Sequence, residues 1–274
     1  MTGPLSDRAR VFFDGTFTSP RLDHPECVAV HSDGSVWAGG EAGQIYRIMD
    51  NEIEVIDSTE GFCLGLSFDK YHNLFICDLA HRAVFRRDAN SGELELFAEG
   101  ANDHRFVTPN FAVADADGGL YVSDSNVAGE PGIGILRFDA DGRGEVWDAG
   151  PFDFANGLAL SPDERSLYVV ETWARKVTEI TIDPAGTAAE RRTVVQLPQV
   201  LPDGVTVGPD GMLYVACYEP SRILVCDPSS GAVATVADDP TAHLLCHPTN
   251  VAFRGSSLIA ANLGRWHLTE IDIS

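Results

Sequence analysis

The amino-acid sequence predicts an all-β fold, a six-bladed β-propeller, from three features. Short segments of alternating apolar and polar residues recur along the 274 residues, and turns rich in Asp and Gly separate them. One strand–turn–strand unit repeats at intervals of 38 to 47 residues. A period of this length is typical of propellers, in which each unit forms one blade. We therefore expect residues 1–274 to form a single propeller domain.

The repeat is defined by a turn followed by an apolar and then an aromatic residue. Its copies are DGSVW, YHNLF, DGGLY, ERSLY and DGMLY, which end at Trp37, Phe75, Tyr121, Tyr168 and Tyr214, and a weaker sixth, SSLIA, follows Phe253. An alternating segment such as FAVA or GLAL precedes each copy, and another such as GILRF follows most of them. Alternation with a period of two between turns indicates strands joined by hairpins. Each unit therefore predicts two or three clear strands and one weaker strand.

The two ends of the chain carry similar sequences. RLDHPECVAV, Arg21–Val30, and LLCHPTNVAF, Leu244–Phe253, both place His-Pro before a short apolar strand. In a closed ring the last blade packs beside the first, so these copies are expected to be neighbours. The segment ARVFFDG, Ala9–Gly15, precedes the first full unit. We expect it to add a strand to the last blade and to close the ring, which leaves no open sheet edge.

Composition limits the partners and the location of the protein. The formal charge of −22 opposes nucleic acid and anionic membranes, because binding to phosphates depends on basic residues. No apolar run reaches the roughly 20 residues that span a bilayer, and MTGPLSDRAR lacks the pattern of a secretory signal. We expect a soluble cytoplasmic protein whose partner is a small molecule; the sequence leaves the oligomeric state open.

The cysteines indicate no metal or redox motif. They form no CxxC pair and no Cys/His cluster, so a zinc ribbon and a redox motif are excluded. We expect reduced, mostly buried thiols at six positions: Cys27, Cys63, Cys77, Cys217, Cys226 and Cys246.

Aligning the six units on their first strand brings out a ring of polar residues. The aligned positions are Glu26, Leu64, Asn110, Asn156, Asp203 and Thr249. The innermost strands of a propeller start at the same end of the central channel, so these side chains should converge. Like charges confined together repel, and buried polar groups without partners are costly, whereas a divalent cation removes both problems. Oxygen ligands without His or Cys suit Ca²⁺ first, then Mg²⁺ or Mn²⁺, and Zn²⁺ less well.

Each polar motif also has a simpler interpretation. TPNF, ANGL and PDGV are all ordinary entries into a strand, since Asn, Asp, Gly and Pro favour turns. Oxygen-bearing residues at equivalent positions of four repeats are less readily explained by turns alone. The set as a whole therefore favours a metal site.

The same residues carry a family resemblance. TPNFAVADADGGLYVSD, ANGLALSPDERSLYVVET, LPDGVTVGPDGMLYVACY and HPTNVAF resemble the senescence marker protein/gluconolactonase/luciferin-regenerating enzyme family of six-bladed propellers, from about Glu26 to Phe253. The resemblance implies one catalytic divalent metal, held by a glutamate of the first blade, an Asn-Gly-Leu asparagine and a Pro-Asp-Gly aspartate. In this chain these are Glu26, Asn156 and Asp203. A Pro-Asn asparagine, here Asn110, is implied to bind the metal or the substrate.

The sequence departs from the family pattern in two places. Sugar-lactone members of the family commonly carry Arg-Pro-Asn-Asp around the third-blade asparagine, where this chain has Thr108, Pro109, Asn110 and Phe111. Glu26 is followed by Cys27 and Val28 in place of the common Gly-Pro, a version that also resembles the strictosidine synthase-like propellers. The loss of the arginine and the acid predicts a more hydrophobic substrate than an aldonolactone.

A metal at this ring predicts hydrolysis of a lactone or related ester. A cation polarises a carbonyl and lowers the pKa of bound water, and negative charge develops on the carbonyl oxygen during attack. We predict Asp203 as general base or nucleophile and Glu26 as the carboxylate that anchors the metal. The predicted substrate-binding residues are Asn110, Thr108, Phe111, His24, His247 and Thr249.

Other interpretations of the flanking residues stay open. His24 and His247 could move protons near neutral pH, or each could cap a strand entry before its proline. Asp124 and Glu171, at the ends of LYVSD and LYVVE, either line the channel or hold turns. The aromatic residues near the ring entries either form core between blades or make the pocket apolar.

Two further classes of function are compatible with the fold. One is a strictosidine synthase-like enzyme, or another lyase or phosphotriesterase-type enzyme, on the same propeller, because a fold alone does not determine a reaction. The other is a propeller that binds a partner without catalysis. A strictosidine synthase-like enzyme would not need the four metal-binding oxygens, and a binding propeller has no reason to place two acids and two amides at its axis, so the ring favours a metal-dependent hydrolase.

Overall fold

The computed structural model describes residues 8–273. The regular elements within this range are strands, arranged as six four-stranded antiparallel sheets and one two-stranded hairpin. Within the described range no helix is long and apolar enough to cross a membrane. The prediction that the chain lacks a secretory signal concerns the segment MTGPLSDRAR. Residues 1–7 of this segment lie outside the described residues.

The strands follow the chain from the axis of each blade to its outer edge. Strand β1 is Ala9–Asp14. Blade one contains β2 Cys27–Val30, β3 Val36–Gly39, β4 Gln44–Met49 and β5 Glu52–Ser58. Blade two contains β6 Cys63–Phe68, β7 Leu74–Asp78, β8 Ala83–Arg87 and β9 Leu94–Ala98. The hairpin consists of β10 Gly100–Ala101 and β11 His104–Arg105.

The remaining blades repeat this arrangement. Blade three contains β12 Pro109–Ala114, β13 Leu120–Asp124, β14 Gly134–Phe138 and β15 Gly144–Asp148. Blade four contains β16 Ala155–Leu160, β17 Ser166–Glu171, β18 Lys176–Ile182 and β19 Ala188–Gln196. Blade five contains β20 Leu201–Val207, β21 Leu213–Glu219, β22 Arg222–Cys226 and β23 Val233–Asp238. Blade six contains β24 Pro248–Arg254, β25 Ser257–Asn262 and β26 His267–Asp272.

The amino-terminal strand completes blade six. Strand β1 pairs antiparallel with β26, with Ala9 opposite Ile271 and Asp14 opposite His267. Arg10 donates to the Glu270 carboxylate from Nη2 at 2.6 Å across this pair. The predicted six-bladed fold and its closure by the amino-terminal strand are therefore confirmed. The two ends of the chain meet in one sheet.

The core lies between the blades. The second strands β7 and β13 are buried at every position, because neighbouring blades cover both of their faces. One core cluster joins Tyr121 and Trp147 of blade three to Leu158 and Val169 of blade four. The six cysteines are also buried and none forms a disulfide, as the sequence analysis expects. Burial of apolar surface between blades, at about 25 cal/mol per Å² removed from water, holds the ring together.

Five of the six innermost strands have an irregularity at the aligned ring positions, whereas β2 pairs regularly with β3. In β12 the pairing shifts between Pro109 and Ala112, and in β16 it shifts between Ala155 and Leu158. Corresponding shifts occur in β6, β20 and β24. A β-bulge of this kind changes the direction of a side chain and locally interrupts the ladder of hydrogen bonds. Asn110, Asn156, Asp203 and Thr249 all lie within these bulges.

Candidate metal centre

Two of the ring residues are amides whose orientation is fixed by hydroxyl groups. Asn110 donates from Nδ2 to Ser125 Oγ at 3.0 Å, and Asn156 donates from Nδ2 to Thr172 Oγ1 at 3.2 Å. Both asparagines are buried. Because the amide nitrogen of each is used, the carbonyl oxygen lies on the other side of the side chain. That oxygen is the atom of an amide that a hard cation binds.

Glu26 is the buried carboxylate of the ring. It immediately precedes β2, is 9% exposed, and has a carboxylate oxygen, Oε2, without a hydrogen-bond partner among the described residues. Burial raises the pKa of Glu26 well above its ordinary value, and the nearby charge of Asp203 raises it further. A hydrogen bond with Thr249 acts in the opposite direction. A buried carboxylate oxygen without a donor is costly unless a cation or a proton satisfies it.

Asp203 is half-buried in the bulge of β20. Burial raises its pKa to about 7, against a hydrogen bond with Asn156 that lowers it. The structure therefore brings Asp203 next to Asn156 and close enough to Glu26 for the two carboxylates to repel. Thr249 reaches the same region, since its hydroxyl donates to the backbone oxygen of Glu26.

These groups fit a hard divalent cation. They comprise an unpartnered carboxylate oxygen, a second carboxylate that repels it, and two amides turned by their hydroxyl partners. A positive charge would relieve the repulsion and satisfy the oxygen of Glu26 at once. Nitrogen and sulfur ligands are absent from the aligned set, which favours Ca²⁺ over Zn²⁺.

Thr108 and Phe111 flank Asn110 in different ways. The backbone N–H of Thr108 donates to Asp124 Oδ1 at 2.7 Å, which fixes the approach to β12. Phe111 lies within the bulge, next to Asn110, and lines an axial cavity of about 330 Å³ with inner-strand residues of all six blades, among them Leu66 and Leu158. The structure therefore places Phe111 in the channel behind the ring. Contact of either residue with a substrate stays a prediction.

The two histidines lie in separate aromatic pairs. The ring of His24 lies 4.7 Å from that of Trp266, and its Nδ1 atom is 3.3 Å from Glu41 Oε2. The ring of His247 stacks on Tyr218 at 4.6 Å with an interplanar angle of 25°. His247 Nδ1 is 3.1 Å from Glu219 Oε1. Each histidine therefore has its own acidic and aromatic partners, which does not support a proton relay between the two.

Four of the aromatic residues near the ring entries fall into two groups. Phe106 and Phe152 are 2% and 1% exposed and belong to the core between blades. Phe154 and Trp173 pair at 5.8 Å, and Trp173 is 44% exposed. Phe154 directly precedes β16 and Trp173 follows β17, so this pair lies at the same end of blade four as Asn156. It supplies apolar surface near the ring.

Asp124 and Glu171 hold turns. Asp124 accepts hydrogen bonds from the backbone N–H groups of Val107 and Thr108 and lies 2.9 Å from His104 Nε2. Glu171 accepts from the backbone N–H of Asp153 and from the hydroxyl of Thr178. These contacts favour the turn-holding interpretation, because both carboxylates are used within their own blades.

Three hydroxyl-bearing residues at the ends of the second strands were not predicted from the sequence as part of the site. LYVSDS, LYVVET and LYVACY end at Ser125, Thr172 and Tyr218, equivalent positions that carry a hydroxyl in three consecutive repeats. The first two orient Asn110 and Asn156. The recurrence was visible in the sequence, but its link to the ring depends on a contact between two strands.

Comparison with known proteins places the chain in a family. The sequence profile of the SMP-30/Gluconolactonase/LRE-like region matches residues 25–260. The chain belongs to this family. The match confirms the resemblance inferred from the blade motifs.

The chain is also similar to individual curated proteins. Strictosidine synthase-like protein 6 of Arabidopsis thaliana is 26% identical over 214 residues, covering 71% of this chain and 56% of the relative. The match thus spans little more than half the length of that relative. Lactonase drp35 of Staphylococcus haemolyticus is 25% identical over 252 residues, covering 69% of this chain and 76% of the relative.

The structural comparison supports the same architecture. A gluconolactonase structure from Xanthomonas campestris superposes with a TM-score of 0.80 at 22% identity, covering 98% of this chain and 91% of that one. At this identity the likeness establishes the propeller fold.

Proposed function

We propose that the protein is a divalent-metal-dependent hydrolase of lactones or related esters, with Ca²⁺ as the preferred ion. Glu26, Asn110, Asn156 and Asp203 would hold the ion. The observation that carries this proposal is the buried Glu26 Oε2, which lacks a hydrogen-bond partner among the described residues and belongs to a carboxyl repelled by Asp203. Membership of a family that contains gluconolactonases, and similarity to a protein named as a lactonase, support the reaction class.

The two carboxylates have different surroundings and therefore different proposed roles. When bound, the cation supplies Lewis acidity that polarises a substrate carbonyl and acidifies water. Glu26 is the more deeply buried residue and anchors the ion. Asp203 is partly exposed and accepts a hydrogen bond from Asn156, so it can face the substrate and take a proton from the attacking water.

The surroundings of the ring support an apolar substrate. Thr108 and Phe111 stand where sugar-lactone members commonly have an arginine and an acid, and the Phe154–Trp173 pair adds an exposed aromatic surface. Few groups remain to bind the hydroxyls of an aldonolactone. The proposed substrate class is an aliphatic or lightly hydroxylated lactone or ester. His24, His247 and Thr249 remain proposed neighbours of that substrate.

Metal removal tests the central claim. The purified chain is treated with a chelator and then supplied separately with Ca²⁺, Mg²⁺, Mn²⁺ or Zn²⁺, and hydrolysis of γ-caprolactone, gluconolactone and an alkyl ester is followed. Chelation should abolish hydrolysis, and Ca²⁺ should restore it most fully. The kcat/KM for γ-caprolactone should exceed that for gluconolactone by about tenfold or more, the discrimination that about 1.4 kcal/mol gives.

The possible outcomes separate the parts of the proposal. Hydrolysis that persists in the metal-free protein would contradict metal dependence. Comparable kcat/KM for the two lactones would contradict the apolar substrate class alone. A bound ion without hydrolysis of any panel member would favour a lyase on the same propeller.

Amide variants of the two carboxylates test the division of roles. Glu26→Gln should lose Ca²⁺ affinity, and hydrolysis should recover at high Ca²⁺. Asp203→Asn should lose about 10²- to 10⁴-fold in kcat even when saturated with Ca²⁺, because a general base is missing. Asp238→Asn, an exposed carboxylate on the outer strand of blade five, serves as the control and should resemble the wild type. Equal loss of Ca²⁺ affinity and equal recovery in both variants would contradict the assignment.

A further inference from the structure

Tyr218 occupies a repeat position that has a defined role in two other blades. The equivalent residues, Ser125 and Thr172, accept hydrogen bonds from the amides of Asn110 and Asn156. In blade five the ring residue is Asp203, a carboxylate, which has no N–H group to donate. Among the described residues Asp203 is held by a hydrogen bond from Asn156 and has none from Tyr218, whose side chain is also much longer than those of Ser125 and Thr172.

The ring of Tyr218 is held in place while its side chain stays partly exposed. It is half-buried, follows Cys217 near the end of β21 and stacks on His247 at 4.6 Å. His247 is in turn 3.1 Å from Glu219 Oε1 and 3.3 Å from the backbone oxygen of Tyr218. These contacts fix the plane of the phenol without using its hydroxyl group.

Tyr218 lies at the same end of blade five as Asp203, because the pairing of β20 with β21 places Pro202 opposite Cys217. A tyrosine hydroxyl, with an ordinary pKa of about 10, carries its proton near neutral pH. The O–H group of Tyr218 is available as a hydrogen-bond donor at the edge of the ring of polar residues.

The ring itself contains few donors. Ionised carboxylates accept hydrogen bonds only, and the amides of Asn110 and Asn156 each use one N–H group on Ser125 or Thr172, while Asn156 also donates to Asp203. The hydroxyl of Thr249 donates to the backbone oxygen of Glu26. The carbonyl oxygen of an ester or lactone would be polarised by the proposed cation, and the second oxygen of the ester group is also an acceptor, so a phenolic O–H beside the ring has a substrate oxygen to which it can donate.

We propose that Tyr218 is a substrate-binding residue whose phenolic O–H donates a hydrogen bond to an oxygen of the bound lactone or ester, and that His247 positions its ring by stacking. This inference rests on the proposed hydrolase function. It assigns His247 an indirect role, through the orientation of Tyr218. The proposal also places the substrate next to Asp203 in the ring of polar residues.

The Tyr218→Phe variant tests this proposal, since it removes one oxygen atom and keeps the stacked ring. In the Ca²⁺-loaded full chain, kcat/KM for γ-caprolactone should fall by about 10- to 100-fold, the effect of losing one hydrogen bond to a substrate. Ca²⁺ affinity, measured by calorimetry, and the melting temperature should stay at wild-type values. Binding of the open-chain product 4-hydroxyhexanoate should weaken.

Tyr214→Phe is the matched control. Tyr214 lies on the same strand, but its hydroxyl donates to Asp210 Oδ2 at 3.0 Å at the far end of β21. This variant should keep the wild-type kcat/KM. A Tyr218→Phe variant with wild-type kcat/KM, or one whose loss of hydrolysis follows a loss of Ca²⁺ affinity, would overturn the assignment of Tyr218 alone. A wild type that hydrolyses no lactone or ester would overturn the proposed function and this inference with it.

Discussion

At the scale of single residues, the site depends on which atom of each amide faces the axis. Ser125 and Thr172 settle this for Asn110 and Asn156 by accepting a hydrogen bond from Nδ2. Ser125 is fixed further because its hydroxyl donates to the backbone oxygen of Ala155 at 2.6 Å in the next blade. One hydroxyl thus orients a proposed ligand and joins two blades. Groups that orient metal ligands commonly change affinity by 10- to 100-fold when removed.

The Thr172→Val variant tests this role. Valine keeps the shape of threonine but removes one of the two acceptors of the Asn156 amide nitrogen and leaves Asp203 as the other, so the amide is held less firmly with its oxygen towards the ion. We expect Ca²⁺ affinity to fall by about 10-fold, as measured by calorimetry. Thr178→Val, which removes a buried hydroxyl that donates to Glu171, is the control and should keep Ca²⁺ affinity. Equal Ca²⁺ affinity in both variants would show that Thr172 has no orienting role.

At the scale of elements, the inner strands approach one another closely enough for their bulged residues to converge. A Cβ atom at Gly157 would lie 2.6 Å from the Gly204 Cα, and one at Gly204 would lie 2.6 Å from the Thr249 backbone oxygen. Both contacts are with backbone, which cannot move aside without displacing a strand. The glycine after the ring residue in ANGL and PDGV is therefore required by packing around the axis.

Gly204→Ala tests this close approach. The added methyl group should push β20 away from β24, lowering the free energy of unfolding by about 1–3 kcal/mol and weakening Ca²⁺ binding. Gly211→Ala, at a turn where a Cβ would meet nothing within 4 Å, is the control. It should lose some stability because its φ is +78°, but it should keep Ca²⁺ affinity. Undiminished Ca²⁺ affinity in Gly204→Ala would contradict the packing argument.

At the scale of the whole molecule, ring closure brings acids from blades one and five together at the axis of a protein with a net charge of −22. In the metal-free protein Glu26 and Asp203 both have pKa values raised by burial, that of Asp203 to about 7. The folded state therefore holds protons that the unfolded chain, with pKa values near 4, has already released. Stability contributed by these groups is present at low pH and is lost as pH rises through about 7.

The melting temperature should show this behaviour. For the metal-free chain it should fall as the pH is raised from mildly acidic to mildly alkaline, and Ca²⁺ at about 100 times its dissociation constant should add about 2.7 kcal/mol at the alkaline end. Asp203→Asn should reduce the pH dependence, since one of the two titrating acids is gone. Scanning fluorimetry with chelator or Ca²⁺ measures both effects. A wild-type melting temperature that rises with pH in the presence of chelator would contradict this prediction.

The sequence by itself determined the number of blades, the closing strand and the aligned ring positions. These features follow from local physics, because hairpins join neighbouring strands and each repeat uses the same turn residues at the same spacing. The aligned ring positions could be predicted because each of these residues has the same register relative to the turn of its own unit. The family motifs then supplied an expected role for Glu26, Asn110, Asn156 and Asp203.

Only the tertiary structure decided how the ring is built. It showed the bulges that carry four of the ring residues, the hydroxyls that orient the two amides, the separate surroundings of His24 and His247, and the stacking of Tyr218 on His247. Each of these depends on contacts between strands or blades that are distant in sequence. Periodicity indicates which residues start a strand, but the direction and partners of their side chains are set by packing around the closed ring.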